Sequence, residues 1–205
     1  MTLLLPTAYF PPVSYLKNLL NEDAVQIEGH EHYVKQSIRN RCEIFGANGR
    51  LRLTVPVEHN NRWRLPIKEI RLRNDEPWKR LHLKSIRSAY GKSPFFEYYE
   101  EELEKTFEVE HTFLFEWNYA TLQLLLKWLK VEKEILFTDD FLPYSDESWD
   151  ARMIFDSSEN EIENNSRIKH AAYYQVFESR HGFQSNLSCM DLIFNTGPDA
   201  LHHLQ

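Results

Sequence analysis

The chain has 205 residues, of which 42% are hydrophobic and 27% are charged, and its formal net charge at pH 7 is −7. This length and composition fit a single globular domain and exclude a fibrous or low-complexity protein. The negative net charge argues against a general nucleic-acid-binding protein, so we expect a small-molecule partner and no nucleic acid.

The opening of the chain predicts an α/β (or α+β) fold in a single domain over residues 1–205. Apolar runs at 3–5 and 24–27 are typical of short buried strands, and a helix is expected near 13–20, after Pro11-Pro12. A strand, a helix and a second strand in this order are typical of α/β domains. Such domains bind ligands at the carboxyl ends of their strands.

A β-hairpin is predicted near residues 42–57. Its turn is Asn48-Gly49, which supplies the positive φ angles of a tight reversal. The apolar residues Ile67, Ile70 and Leu72 are set among the basic residues Lys68, Arg71 and Arg73 and predict a further strand. We expect these strands to belong to a mixed sheet.

Apolar residues at helical spacing predict the remaining helices, near 78–90, 94–107, 111–130 and 187–194. A candidate strand at 134–138 precedes a polar and acidic segment. This segment, near 139–166, is expected to be a mobile insert or an ordered flap.

The cysteines and the apolar segments indicate where the protein resides. Cys42 and Cys189 match no metal-binding spacing, and we expect free thiols in a reducing compartment. The apolar run that ends at Pro6 lacks the basic segment and the cleavage site of a signal peptide. No stretch approaches the roughly 20 apolar residues that span a bilayer. The sequence therefore predicts a cytoplasmic protein without a transmembrane segment.

Charge is distributed unevenly along the chain. Residues 34–92 contain 15 Lys and Arg residues and five Asp and Glu residues, whereas residues 93–166 contain five and 19. A basic block of this kind permits a phosphate-bearing small ligand. The two blocks can equally face each other in the fold, and both interpretations stay open.

The segment 28–41 carries most of the candidate chemistry, because it follows the second predicted strand. His30 and His32 can act as general acid or base near neutral pH. A group able to hold a phosphate or a carboxylate follows, and it consists of Lys35, Arg39, Asn40 and Arg41. In an extended segment Lys35, Arg39 and Arg41 share one face. An exposed polar strand edge is the alternative, and no third ligand accompanies the two histidines, so no metal is expected.

Other candidate site residues lie outside this segment. His82 is a third candidate catalytic group, although a histidine on the apolar side of a helix is more often structural. Candidate substrate-binding residues elsewhere in the chain are Tyr9, Arg87, Tyr90, Arg180 and Asp191. Each of them has a structural alternative, as a core residue, an exposed charge or a member of an internal ion pair.

Several motifs together give the chain a family resemblance. They are Pro6-Thr7-Ala8-Tyr9-Phe10-Pro11-Pro12, Arg39-Asn40-Arg41, Leu53-Thr54-Val55-Pro56, Pro94-Phe95-Phe96 and Asp191-Leu192-Ile193-Phe194-Asn195-Thr196-Gly197. With these motifs the chain resembles the WbqC-like protein family, which is found in bacterial gene clusters for O-antigen and other surface polysaccharides.

The resemblance implies an enzyme of polysaccharide biosynthesis, a transferase that modifies a nucleotide-linked amino sugar, for example by aminoacyl or glycyl transfer. In that reaction His30 or His32 would be the base, and Lys35, Arg39 and Arg41 would bind phosphate. The alternative is a non-catalytic protein of the same pathway that binds a nucleotide-sugar. The sequence identifies neither a cofactor nor an oligomeric state.

Overall fold

The computed structural model describes residues 2–58, 65–145, 147, 149–156 and 172–205. Its strands are β1 (Thr2–Pro6), β2 (Ala24–Glu28), β3 (Arg41–Gly46), β4 (Gly49–Thr54) and β5 (Ile135–Phe137). Its helices are α1 (Val13–Asn21), α2 (Trp78–Tyr90), α3 (Phe96–Glu108), α4 (Leu114–Trp128), α5 (Arg152–Asp156), α6 (Glu178–His181), α7 (Cys189–Thr196) and α8 (Ala200–Leu204). The predicted α/β class is confirmed.

Three strands form a parallel sheet in the order β1-β2-β5, so β2 is the central strand. Its apolar residues Val25 and Ile27 are buried on one face, whereas Ala24 and Gln26 on the other face are only partly buried. The outer edge of β1 is covered by a later segment of the chain. There the Leu4 N–H donates to the Trp149 carbonyl at 2.7 Å, and the Ala151 N–H donates to the Leu4 carbonyl at 3.0 Å.

The predicted hairpin is confirmed as the antiparallel pair β3–β4. Its register closes at Gly46 opposite Gly49, and Gly49 has the positive φ of 101° that the turn requires. In the described part of the chain this pair forms a sheet separate from the parallel one, rather than part of the single mixed sheet that we expected. The hairpin is instead joined to α2, where the Phe45 N–H donates to the Tyr90 hydroxyl at 3.1 Å.

The further strand predicted around Ile67, Ile70 and Leu72 is wrong. Ile67–Glu69 is a 3-10 turn, and isolated bridges from Arg71 to Phe113 and from Leu72 to Val57 follow it in place of a strand. The Ile67 N–H donates to the Glu31 carbonyl at 2.8 Å, so the segment pairs with the loop after β2 instead of with a strand. Its apolar residues Ile67, Ile70 and Leu72 are buried, but they lie in an irregular backbone.

The predicted helices near 13–20, 78–90, 94–107, 111–130 and 187–194 are confirmed as α1, α2, α3, α4 and α7, with shifts of up to three residues at their ends. Trp117 of α4 is fully buried and packs against Tyr9 and Phe107. Helix α7 is almost wholly buried, and the Ser188 hydroxyl caps it by accepting the Met190 N–H at 3.4 Å.

The predicted acidic insert is described only in part. Residues 157–166 lie outside the described residues, so the mobility of the insert stays a prediction, while 152–156 form the short helix α5. Cys42 and Cys189 are buried free thiols. Among the described residues, no helix is both long and apolar enough to cross a bilayer.

Candidate functional site

The carboxyl ends of the three parallel strands lie at Pro6, Glu28 and Phe137. Glu28 occupies the middle of this edge, because β2 is the central strand. The sequence changes there from the apolar residues of β2 to polar ones, and Thr138 makes the same change after β5. Open α/β sheets bind ligands at this edge, which makes it the candidate site.

Glu28 connects the end of β2 to three other segments. Its fully buried carboxylate accepts hydrogen bonds from the His30 N–H and the Thr138 hydroxyl, both at 2.8 Å. The Leu142 N–H donates to the other oxygen at 3.1 Å, and the Arg152 guanidinium donates to it at 3.3 Å. A buried carboxylate needs such donors, because removal of a charge from water is costly.

Glu31 and Arg39 form a second buried ion pair. The Arg39 Nε and Nη2 groups donate to the two carboxylate oxygens of Glu31 at 2.7 and 2.8 Å, and neither side chain is exposed. The Tyr144 hydroxyl donates to Glu31 at 3.2 Å. Tyr15 lies beside the pair, where burial and the Glu31 carboxylate raise the pKa of its hydroxyl, which donates to the Pro6 carbonyl at 2.8 Å.

Arg152 anchors the loop that follows β5. Its guanidinium donates to the two oxygens of Asp150 at 2.9 and 2.6 Å. The same group donates to the carbonyls of Leu142 and Pro143 at 2.8 and 3.1 Å, and it lies 4.2 Å from the centre of the Tyr144 ring. The loop after β5 is therefore held in place by hydrogen bonds to a buried side chain.

The floor of the candidate site consists of Glu28, Glu31, Arg39, Asp150 and Arg152. The side chains of these three carboxylates and two guanidinium groups are all buried. Such a network is costly to desolvate and stays intact only when its members are mutually hydrogen-bonded. Arg39, a predicted phosphate ligand, is committed to Glu31, so a direct phosphate contact would first have to open that ion pair.

The rim of the candidate site consists of His30, Lys68 and Tyr144, which lie above the floor and reach solvent. The Nζ atom of Lys68 lies 3.1 Å from Nε2 of the half-buried His30 imidazole. The Lys68 N–H donates to the Gly29 carbonyl at 3.2 Å, which positions the lysine at the end of β2. The rim thus combines an imidazole, an ammonium and a phenol.

The other residues predicted in the segment 28–41 are placed differently. His32 and Lys35 are exposed, and the segment is a loop rather than an extended strand, so Lys35, Arg39 and Arg41 do not share a face. The Asn40 amide donates to the Val55 carbonyl at 3.2 Å. Arg41 is partly buried in β3, and burial followed by the neighbouring Arg52 charge lowers its pKa.

Tyr9 and His82 meet in the core rather than at the strand ends. The Tyr9 hydroxyl lies 2.9 Å from the His82 Nδ1 atom, and both side chains are buried. Burial lowers the pKa of His82 to about 4, which keeps the imidazole neutral, and the Trp78 ring packs against it edge-on. The surroundings of Tyr9 and His82 are therefore those that the structural alternative describes, a packed core.

Tyr90 and Asp191 belong to a separate buried network. The Asp191 carboxylate accepts the Tyr173 hydroxyl and the Gln175 amide, both at 2.7 Å. Burial raises the pKa of Asp191 to about 6 despite these donors. The Tyr90 hydroxyl also lies close enough to Asp191 to act on its pKa, and it accepts the Phe45 N–H.

Arg87 and Arg180 are exposed and contact other parts of the surface. Arg87 donates to Glu100 at 2.6 Å and also pairs with Glu104, so the basic helix α2 faces the acidic helix α3 there. Arg180 donates to the Ala47 carbonyl at the hairpin turn at 3.4 Å. The candidate residues thus fall into separate places, and His30 and Arg39 are the ones joined to the strand-end network.

Sequence reasoning missed Lys68, Tyr144, Asp150 and Arg152. Arg152 gave a usable signal, since it is a single cation between apolar residues in an otherwise acidic segment. Lys68 gave none, because it is one of many basic residues in its part of the chain.

A surface groove elsewhere on the molecule has a volume of about 490 Å³ and is lined by Glu58, Arg71, Asp75 and Thr112, among others. It shares no lining residue with the floor or the rim. Over the described residues, no group of three or more His, Cys, Asp and Glu side chains is arranged to hold a metal ion.

Comparison with known proteins gives one match. The model of the WbqC-like protein family matches residues 7–160, which include every residue of the floor and the rim. Neither the curated proteins nor the solved structures contain a match to the chain.

Proposed function

Because the chain belongs to the WbqC-like protein family, we propose that it transfers an acyl or aminoacyl group to the amine of a nucleotide-linked amino sugar in polysaccharide biosynthesis. The reaction would take place at the carboxyl ends of the parallel strands, with His30 as general base. The observation that carries this proposal is the 3.1 Å contact between the Lys68 Nζ and the His30 Nε2 above the buried Glu28.

This contact identifies the accepting nitrogen of the His30 imidazole. A lysine ammonium has three N–H donors and no acceptor, so the His30 Nε2 atom accepts from it. The proton of the neutral ring then resides on Nδ1, and Nε2 is the basic nitrogen. The His30 N–H donates to Glu28 at 2.8 Å, which fixes the backbone that carries the imidazole.

The transfer needs no covalent intermediate on the protein. The neutral sugar amine attacks the carbonyl carbon of an activated acyl ester or thioester, and a carbon–nitrogen bond forms as the His30 Nε2 atom takes one amine proton. The bond from the carbonyl carbon to the leaving group then breaks, and the leaving group takes that proton from the imidazolium. Lys68, no longer bonded to His30, can stabilise the negative oxygen of the tetrahedral intermediate.

Arg41 is the proposed contact of the diphosphate, and a phosphate contact of Lys35 stays a prediction. The Nε atom of Arg41 is buried without a hydrogen-bond partner among the described residues, and the nearby Arg52 charge makes that cation more costly. A phosphate beside Arg41 would relieve both costs. Arg39 would act indirectly, by holding the loop after β2 through its ion pair with Glu31. His32 stays a second candidate base.

Amide formation from UDP-glucosamine and a panel of acyl and aminoacyl donors, followed by mass spectrometry, tests the proposal. His30→Ala should lower the rate about 10²-fold or more, because general acid–base catalysis contributes factors of that size. The matched control is His202→Ala, which removes an exposed imidazole from α8 and should leave the rate unchanged. An unchanged rate in His30→Ala would refute the assignment of the base.

A non-catalytic binding protein is the second candidate, and the closure of the floor favours it. The charged side chains of the floor bond one another and are all buried, so a ligand meets the few groups of the rim. Replacing both His30 and His32 by Ala separates the two functions. Retained UDP-glucosamine binding and retained polysaccharide output in that variant would support the binding protein.

A further inference from the structure

Large exposed apolar side chains are concentrated in β5 and in the loop that follows it. Among the described residues, Leu136, Phe137, Phe141 and Tyr144 lie within a single stretch of nine residues and are 40 to 47% exposed. Single exposed apolar residues are ordinary, whereas a group of them marks a binding surface. Phe137 packs on two aromatic residues of α4, whereas Phe141 and Tyr144 pack on each other in the loop that follows β5.

The two rings are exposed but held in place. Their centroids are 6.2 Å apart at an angle of 69°, and the buried Arg152 guanidinium lies beneath the Tyr144 ring. The Tyr144 hydroxyl donates to Glu31, and the backbone between the rings is bonded to Arg152 and Glu28. Such preorganised aromatic faces lose little conformational entropy when a ligand stacks on them.

We propose that Phe141 and Tyr144 form a stacking platform for the pyranose ring of an amino sugar. The apolar face of the ring would lie against Phe141, and its hydroxyl and amine groups would donate to the exposed carboxylates of Asp139 and Asp140. The choice of an amino sugar rests on the proposed function. The bond from Tyr144 to Glu31 places this platform beside the rim that carries His30.

The surroundings favour a sugar over the other occupants of an aromatic surface. Two carboxylates adjacent in sequence suit a pyranose with several hydroxyl and amine donors, whereas a nucleobase offers few donors. Sheet extension by a second copy of the chain is disfavoured, because the edge strand β5 has three residues and short edge strands resist such pairing.

Saturation-transfer NMR with D-glucosamine tests the platform. Wild-type protein should transfer saturation to the ring protons of the sugar. Phe141→Ala should weaken binding about tenfold, and Phe141→Leu, which keeps the apolar volume, should also weaken it, because both lack an aromatic face. Tyr98→Ala is the matched control, since Tyr98 is 79% exposed on α3 and lies outside the platform. This variant should bind the sugar like the wild type.

Three results would overturn the platform. They are equal glucosamine affinity in wild type and Phe141→Leu, binding of uridine monophosphate but not of glucosamine, and a dimer that Phe141→Leu dissociates. The transferase proposal fails separately. Glucosamine binding that depends on Phe141 without any amide formation refutes the transferase alone, whereas an unchanged rate and KM in Phe141→Leu with UDP-glucosamine refutes the platform alone.

Discussion

At the scale of residues, the strand ends contain ion pairs whose side chains are fully buried. The sequence shows Glu28, Glu31 and Arg39 close together, and from this we predicted ligand contacts for the arginine. Residue types alone do not reveal burial, and the pairing of Arg39 with Glu31 depends on a loop conformation that periodicity does not describe. The sequence therefore predicted the place of the candidate site but not which charges stay available to a ligand.

Arg39→Met should destabilise the protein by about 3–5 kcal/mol, because it leaves the Glu31 carboxylate buried without its cation. Urea unfolding measures this change. Lys105→Met, which removes an exposed helical ion pair with Glu101, should leave the free energy of unfolding nearly unchanged. Equal stabilities of the two variants would show that the buried pair is not formed.

Asp191 and His82 should give opposite pH dependences of stability. Burial raises the pKa of Asp191 to about 6 from the ordinary 3.8, so the folded state binds more protons and stability falls by about 3 kcal/mol as pH rises through that interval. Burial lowers the pKa of His82 to about 4 from 6.5, so the unfolded state binds more protons there. Stability contributed by His82 rises by about 3 kcal/mol over that range.

Single variants separate these two effects in urea unfolding at several pH values between 4 and 6.5. Asp191→Asn should give a slope of stability against pH that is more positive than in the wild type, because only the falling contribution is removed. His82→Gln should give a more negative slope, because only the rising contribution is removed. Curves of both variants that run parallel to the wild type would contradict the two pKa shifts.

At the scale of elements, local signals predicted most of the fold. Gly49 allows the tight turn of the hairpin through its positive φ angle, and α2 has the predicted bounds because Pro77 precedes it and Gly91 follows it. The predicted strand after Pro66 failed because its backbone groups bond to the loop at Glu31, a partner distant in sequence. A pattern of apolar residues indicates which side chains are buried, but it does not identify the hydrogen-bond partner of a strand.

Gly197→Ala should be more destabilising than Gly182→Ala. Both glycines have positive φ angles that cost an alanine about 1–3 kcal/mol. A Cβ on Gly197 would also lie 2.5 Å from the Phe95 ring, whereas a Cβ on Gly182 meets nothing within 4 Å. The difference, about 1–3 kcal/mol of overpacking, is measured by chemical denaturation. Equal losses would indicate that the Phe95 ring moves freely away.

At the scale of the whole molecule, the candidate site is assembled from segments far apart in the chain. Glu28 is bonded to Thr138 and Arg152, more than a hundred residues later, and Lys68 reaches His30 from a third segment. Contacts of this kind leave no local pattern, which is why sequence reasoning identified His30 but missed Lys68 and Arg152. The parallel sheet brings them together, because its strands end at one edge.

The central claim is that a nucleotide-linked amino sugar binds at the carboxyl ends of the parallel strands. Hydrogen–deuterium exchange with and without UDP-glucosamine tests it most directly, because amides covered by the ligand or ordered by it exchange more slowly. Binding at this edge of the sheet should slow exchange in residues 28–33, 66–69 and 139–145. Slower exchange confined to the groove between Glu58, Arg71 and Thr112 would contradict it.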